Sequence, residues 1–231
     1  MGGVIDAVIF DWGGTLTPWH NLQPFEAWVA ATGDPELAAR LWAAEEAAWA
    51  RSRDEHRSAT LDDVFAAAGV TPTPEMAAAY HDWWDPHTFV DPDVPALFAA
   101  LRERDIRIGV LSNTLWPREH HERIFQRDEV LALVDGAVYT SEIPWTKPHP
   151  EAFRAALAAV GGVDPARAVF VGDRPFDDIH GAKSAGMRAV LVPHSDIPAH
   201  QHGPVLGEPD AVIQRLSELL AIVDAWSLPA A

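Results

Sequence analysis

Cysteine is absent from the chain, which excludes a disulfide framework, thiolate catalysis and any cysteine-ligated metal. Lysine is nearly absent too: among 17 basic residues only Lys147 and Lys183 are lysines. Acidic residues number 34, leaving a formal net charge of −17. A field of that sign repels phosphate backbones and anionic lipid, so nucleic-acid and membrane partners are disfavoured. No uninterrupted apolar run reaches about 18 residues. The chain also reaches Asp6 without a basic leader segment, so a cytoplasmic location is the expectation. With 231 residues, 48% of them hydrophobic, the chain can bury one large core, or a core plus a smaller unit.

The most informative stretch present is Val8-Ile9-Phe10-Asp11-Trp12-Gly13-Gly14-Thr15. A β-branched and aromatic run from Val4 predicts a buried strand, and the Gly pair predicts a tight turn after it. Asp11 is thereby placed at the carboxyl end of a strand, where ligands bind in open α/β sheets. Strand alternation turns Trp12 away from a ligand at Asp11.

Beyond Thr17, residues 20–88 show no convincing strand. Pro35–Arg51 has helical spacing through Leu37, Leu41, Ala44 and Ala48, with Glu45 and Glu46 on other faces. Thr60 with Asp63 predicts a capped helix closed by Gly69, and Glu75–Trp84 reads as another helix. Trp42 and Trp49, seven apart, predict packing within this helical unit. Strands and helices then alternate: a helix Val94–Arg104, a strand Ile106–Leu111 ending in Ser112-Asn113, and a strand Ala137–Thr140. A helix Pro150–Val160 opened by Pro, a strand Ala168–Val171, a helix Phe176–Ala185, a strand Arg188–Val192 and a last helix Asp210–Val223 follow. This predicts a doubly wound, parallel, Rossmann-like sheet of α/β class. A helical insert of roughly 70 residues is far longer than a loop. The expected organisation is an α/β core of residues 1–18 and 89–231 and a small helical cap of residues 19–88.

Asp11, Ser112, Lys147 and the pair Asp173 and Asp178 follow strands or open a helix. Taken singly, each is an ordinary turn or cap residue. Together they converge on one crevice of a doubly wound sheet. A carboxylate nucleophile attacking a phosphoryl group needs its oxygens screened, by a hydroxyl, a lysine and backbone N–H groups on one side. On the other side, Mg²⁺ on hard oxygen ligands would serve. Asp173 and Asp178 supply that metal locus beside Asp11, with Asp177 as the neighbour that sequence separates poorly from Asp178.

The set Asp11-Trp-Gly-Gly-Thr15, Val110-Leu-Ser112-Asn113, Lys147-Pro-His-Pro-Glu-Ala-Phe153 and Gly172-Asp173-Arg-Pro-Phe-Asp177-Asp178-Ile179 resembles the four motifs of the haloacid dehalogenase (HAD) superfamily. The likeness runs through Gly181–Met187 and includes a helical C1-type cap between the first two motifs. It implies that Asp11 is the nucleophile forming an aspartyl-phosphate. Ser112 and Lys147 then hold phosphoryl oxygens, with Gly13, Gly14 and Asn113 lining the phosphate position. Asp11, the Gly13 carbonyl, Asp173 and Asp178 serve Mg²⁺, and the substrate is a small phosphorylated molecule.

One position departs from the pattern. The phosphatases of this superfamily usually carry a second Asp two residues after the nucleophile, as general acid and base; this chain has Gly13. His20, Glu26 and Asp54 of the insert are candidate substitutes. A 2-haloacid dehalogenase-like hydrolase, or a low-activity phosphate-binding regulatory module, are the competing readings. The phosphonate-cleaving branch needs a cap lysine, and no lysine precedes Lys147. Trp116 and Trp145 are candidates to line the crevice, and Arg118, His120 and His121 to touch substrate. The loop with His194, His200 and His202 has a metal-like composition without a ligand pattern.

Overall fold

A computed structural model describes residues 4–193 and 206–227. The opening run becomes β1 (Ala7–Phe10), buried on both faces. It lies between β2 (Arg107–Ser112) and β4 (Ala168–Gly172) in a six-stranded sheet of order β3-β2-β1-β4-β5-β6. The outer strands are β3 (Gly136–Tyr139), β5 (Arg188–Leu191) and β6 (Ala211–Val212), and every pairing is parallel. From β1 the chain winds one way through β2 and β3, then returns beside β1 and winds the other way. The switch point lies between β1 and β4, directly at Asp11.

Alternation along β1 divides the core into two layers. Val8 and Phe10 face α5 (Val94–Arg102) and α9 (Leu219–Ser227), and the Phe10 and Phe98 rings are 5.3 Å apart. Ala7 and Ile9 face α7 (Pro150–Ala159) and α8 (Gly181–Ser184). Side chains such as Leu97, Phe98 and Leu101 of α5 are fully buried, each stabilising the fold by about 1.5–3 kcal/mol. The Pro150 start is as expected: Pro occupies the first turn of α7 and the His149 ring accepts the Glu151 N–H.

The insertion holds α1 (Phe25–Thr32), α2 (Pro35–Glu55), α3 (Leu61–Ala67) and α4 (Pro74–Trp84). Their starts are written locally. Asp34 accepts the Glu36 and Leu37 N–H groups ahead of Pro35, and Thr60 and Asp63 form a complete capping box. The apolar core joins Trp28, Leu41, Val64, Phe65 and Tyr80. Leu115, Trp116 and Ile124 from beyond β2 belong to the same cluster, so the insertion packs directly on the sheet domain.

Two residues of α2 stand differently from what its spacing alone suggests. Glu45, off the apolar stripe, is nonetheless buried, because Trp28 donates its indole N–H to it at 2.6 Å, with Trp49 at 3.2 Å and Tyr80 at 3.4 Å. Burial pushes its carboxyl upward, against the pull of those three donors. Trp49 is not a core residue; its ring is exposed, while Trp42 is half-buried against the cluster.

Three further differences lie in the sheet domain. The last helix does not begin at Asp210. Instead Asp210 donates its N–H to the Ala189 carbonyl and Ile213 to that of Leu191, so Ala211–Val212 is an edge strand and the helix starts at Leu219. Residues Pro175–His180 form a π-helical turn ahead of the short α8, not one continuous α-helix. A helix absent from the sequence reading, α6 (Arg118–Arg127), follows β2. The His194, His200 and His202 segment lies outside the described residues.

Candidate active site

Because β2, β1 and β4 are neighbours, Ser112, Asp11 and Asp173 sit side by side at their carboxyl ends. The Asp11 N–H extends the ladder to the Val171 carbonyl at 2.9 Å. Asp11 has the same parity as Ala7 and Ile9, so its side chain turns toward the layer of α7 and α8. Lys147 arrives there from the loop that precedes α7, and Asp178 from the π turn.

Lys147 Nζ donates to Asp11 Oδ1 at 2.5 Å and to Asp178 Oδ1 at 2.7 Å. All three side chains are buried. Burial pulls the Lys147 ammonium downward, but the charges and hydrogen bonds of Asp11 and Asp178 hold its pKa above the ordinary lysine value. Burial of Asp178 outweighs the attraction of Lys147 and pushes its carboxyl upward, since two acids compete for one ammonium. Asp11, Asp173 and Asp178 each offer an oxygen within 4.8 Å of the others. Such a trio of hard donors suits a small divalent cation.

Two glycines make the approach possible. A Cβ at Gly14, whose φ is +89°, would collide with the Asp173 carboxylate, and one at Gly172 would collide with Asp178. The π turn adds a residue ahead of α8 and lets the Arg174 N–H donate to Asp178 Oδ2 at 2.9 Å, a distortion common at functional sites. Arg174 is itself embedded in acid. Burial opposes its charge, but Asp173, Asp177, Asp11 and Asp178 hold its pKa above the usual value. Asp178, not Asp177, belongs to the carboxylate trio.

Gly13 lacks an acidic side chain but not the space for one. A Cβ there meets nothing within 4 Å, and its φ lies outside the left-handed region. Asn113 is spent differently from expectation. Its amide donates to the Lys147 carbonyl at 3.1 Å and its carbonyl accepts the Lys147 N–H at 2.8 Å. It clamps the lysine's backbone rather than presenting its side chain to a phosphate.

A family model described as haloacid dehalogenase-like hydrolase matches residues 5–186. The chain belongs to the haloacid dehalogenase-like hydrolases. It is 29% identical to a glyceraldehyde 3-phosphate phosphatase of Methanopyrus kandleri, across 95% of this chain and 97% of that one. With a phosphoserine phosphatase of Thermus thermophilus it shares 32% identity, over 73% of this chain and 68% of the other. Among solved structures, a 2-haloacid dehalogenase from Pseudomonas syringae superposes with a TM-score of 0.67 at 25% identity, covering 96% of this chain and 100% of that one.

In this HAD-like hydrolase several other expected site residues lie elsewhere. Trp12 turns away from Asp11, as alternation requires, and meets His121 and Trp116 edge-on at 4.6 and 5.5 Å. Trp116, His120 and His121 are buried beneath α4 instead of lining a crevice. His120 stacks on His81 at 3.8 Å, and His121 stacks on Tyr139 at 4.4 Å. Arg118 is occupied by Glu142 and Glu122. Trp145 stacks on His149 under the Arg57 guanidinium. His20, Glu26 and Asp54 are exposed, and Asp54 pairs with Arg53. Sequence reading overlooked His56, the C-terminal cap of α2, whose ring centroid lies 6.1 Å from that of Phe176 in the π turn. Its sole local mark is the end of the helical pattern.

The histidine cluster makes the family member acid-sensitive. Burial, reinforced by mutual repulsion and by Arg123, depresses His81 to about 4 and His120 to about 2; burial and His81 depress His121 to about 3. The unfolded chain therefore binds more protons below about pH 6.5. Each of these residues removes about 1.4 kcal/mol of stability per pH unit as pH falls from there toward 4. Burial raises Glu45, Asp177 and Asp178, and these acids act in the opposite sense. Thermal unfolding followed between pH 7 and 4.5 is expected to show a falling Tm, and His121→Gln a shallower fall.

Proposed function

We propose that this hydrolase is a Mg²⁺-dependent phosphatase that cleaves a small phosphomonoester through an aspartyl-phosphate on Asp11. The observation that carries the reading is the buried trio of carboxylates, with the charges of Lys147 and Arg174 set among them. Displacement of halide by a carboxylate needs no metal ion, whereas three hard oxygen donors suit one. The similarity to two phosphatases over most of the chain supports the same choice. Asp11, Asp173 and Asp178 would hold Mg²⁺, and the Gly13 carbonyl would add a ligand. When bound, the cation would supply positive charge to the phosphoryl oxygens.

The chain's own groups do the rest. Asp11 presents one carboxylate oxygen to phosphorus while Lys147 holds the other and balances its charge. Ser112, at the end of β2, offers a hydroxyl to a phosphoryl oxygen. The clamp from Asn113 fixes where the Lys147 ammonium lies. Residues 19–88 act as a cap that covers the substrate and excludes water. The strongly acidic surface fits a small, cytoplasmic substrate rather than nucleic acid or membrane.

Phosphate release from p-nitrophenyl phosphate and a panel of phosphorylated metabolites is expected with Mg²⁺ and is expected to vanish with EDTA. Metal-independent halide release from 2-haloacids, without phosphate release, would replace this reading with a dehalogenase. Silence in both assays, with a rise in Tm on adding phosphate esters, would make the protein a binding module.

Gly13→Asp is the complementary experiment. Because the position is sterically open, the variant is expected to fold normally. A positioned acid/base is worth about 10²–10⁴-fold in rate, so a gain of that size on esters with poor leaving groups would show that the parent chain lacks one. Equal turnover of variant and parent on such esters would show that the proton already comes from another residue.

A further inference from the structure

We infer that His56 is the acid and base that position 13 lacks, its imidazole passing a proton to the departing ester oxygen and recovering one from the attacking water. The inference rests on the phosphatase reading above.

The backbone of His56 is fixed relative to the nucleophile. Its N–H donates to the Ser52 carbonyl, ending α2, and its own carbonyl accepts the Thr146 N–H at 3.0 Å. Arg57 then bridges Trp145, and the Ser58 N–H donates to the Pro144 carbonyl at 3.2 Å. Three successive cap residues are thus tied to residues 144–146. The next residue is Lys147, whose ammonium touches Asp11. One hydrogen bond and one residue therefore separate His56 from the lysine that holds the nucleophile.

Local conformation marks the same residue. His56 has a φ of 55°, the left-handed conformation in which a helix commonly ends, and this turns the chain from α2 toward residues 144–146. Its Nδ1 is buried and has no hydrogen-bond partner among the described residues. The ring faces Phe176, two residues before Asp178. Asp54 and His149 are the other titratable groups whose charge interacts with His56; Thr146 and Phe176 are neutral.

The competing histidines are committed elsewhere. His81, His120 and His121 are packed away from water in the cluster under α4. His149 lies flat on Trp145 and accepts the Glu151 N–H.

In the first step an Asp11 oxygen attacks phosphorus, and the P–O bond to the ester oxygen breaks. The electron pair leaves with that oxygen, which takes the ring proton of His56. In the second step a water oxygen attacks phosphorus and gives a proton to His56. The P–O bond to Asp11 breaks with its pair returning to the carboxylate. Orthophosphate departs, and His56 ends protonated as it began.

The test compares two esters of similar shape, p-nitrophenyl phosphate and phenyl phosphate, with Mg²⁺ and the full chain. The variant is His56→Asn, because Asn tolerates the left-handed conformation, and its Tm is measured alongside. The quantity read is kcat/KM, which reports transfer to Asp11. For phenyl phosphate, whose leaving group needs the proton, kcat/KM is expected to fall about 10²-fold. For p-nitrophenyl phosphate it should fall only a few-fold, and the alkaline limb of the phenyl phosphate pH profile should disappear. Adding Gly13→Asp to His56→Asn should restore phenyl phosphate cleavage. Equal losses on both esters, or no loss on either, in a wild-type enzyme that cleaves both would overturn the inference alone. A wild-type chain that cleaves neither ester nor any metabolite would overturn the phosphatase reading, and this inference with it.

Discussion

Asp11→Asn is expected to reduce phosphate release by at least about 10⁴-fold, the scale on which removal of a nucleophilic or proton-transferring group is felt. The amide is nearly isosteric with the carboxylate, so the loss is one of chemistry rather than shape. Its nitrogen carries no negative charge, and its oxygen is a poor nucleophile toward an anionic phosphoryl group. Lys147 would keep Asp178 as its partner at 2.7 Å, so the ammonium remains compensated and the fold should survive. The check is phosphate release by both proteins at one Mg²⁺ concentration, with Tm recorded for each. Activity retained within about tenfold would place the nucleophile elsewhere.

Lys147→Met is expected to remove activity and much of the stability together. The lysine is the single lysyl partner of two buried acids, and Asp173 lies within the same trio. Breaking a buried pair from one side costs about 3–5 kcal/mol, because the acids left behind lose their hydrogen-bonded cation and keep only the charge of Arg174 nearby. For a chain of this size that corresponds to a Tm lower by roughly 10 °C. A divalent cation on the same carboxylates would neutralise part of that charge. Mg²⁺ should therefore raise the Tm of the variant by more than it raises that of the parent. Equal shifts in the two proteins would mean that the carboxylates do not share the cation site. Calorimetry with and without Mg²⁺ decides the point.

Much of the architecture was legible because the relevant signals are local. β1 is a buried run that ends in a turn, and Thr60 with Asp63 carries its cap in four residues. Pro150 marks the start of α7 by its fixed φ. The order of strand-end residues Asp11, Ser112, Lys147 and Asp173 survived intact, since parallel winding sends every such end to one edge of the sheet. What failed were features set by partners distant in sequence. The Asp210 region has helical apolar spacing, but pairing with Ala189 and Leu191 recruits it as an edge strand. Glu45 lies off the apolar stripe of α2, but Trp28 and Tyr80, from two other helices, enclose it. His120 and His121 were candidates to touch substrate, and α6 carries them under the insertion instead.

By itself, the sequence determined the chemistry at the sheet edge: a carboxylate after β1, the residues that can neutralise it, and the missing acid at Gly13. Side-chain type and strand-end position are one-dimensional properties, so they are written in the chain. Only the tertiary structure decided how those groups are shared. It gave one lysine to two acids, turned Asn113 to the lysine's backbone, left open space at Gly13 and brought His56 from the end of α2 to the π turn. The lysine, Asn113 and His56 contacts join segments tens of residues apart, only the last of them made where the helical insertion packs on the sheet domain, and no local pattern encodes them.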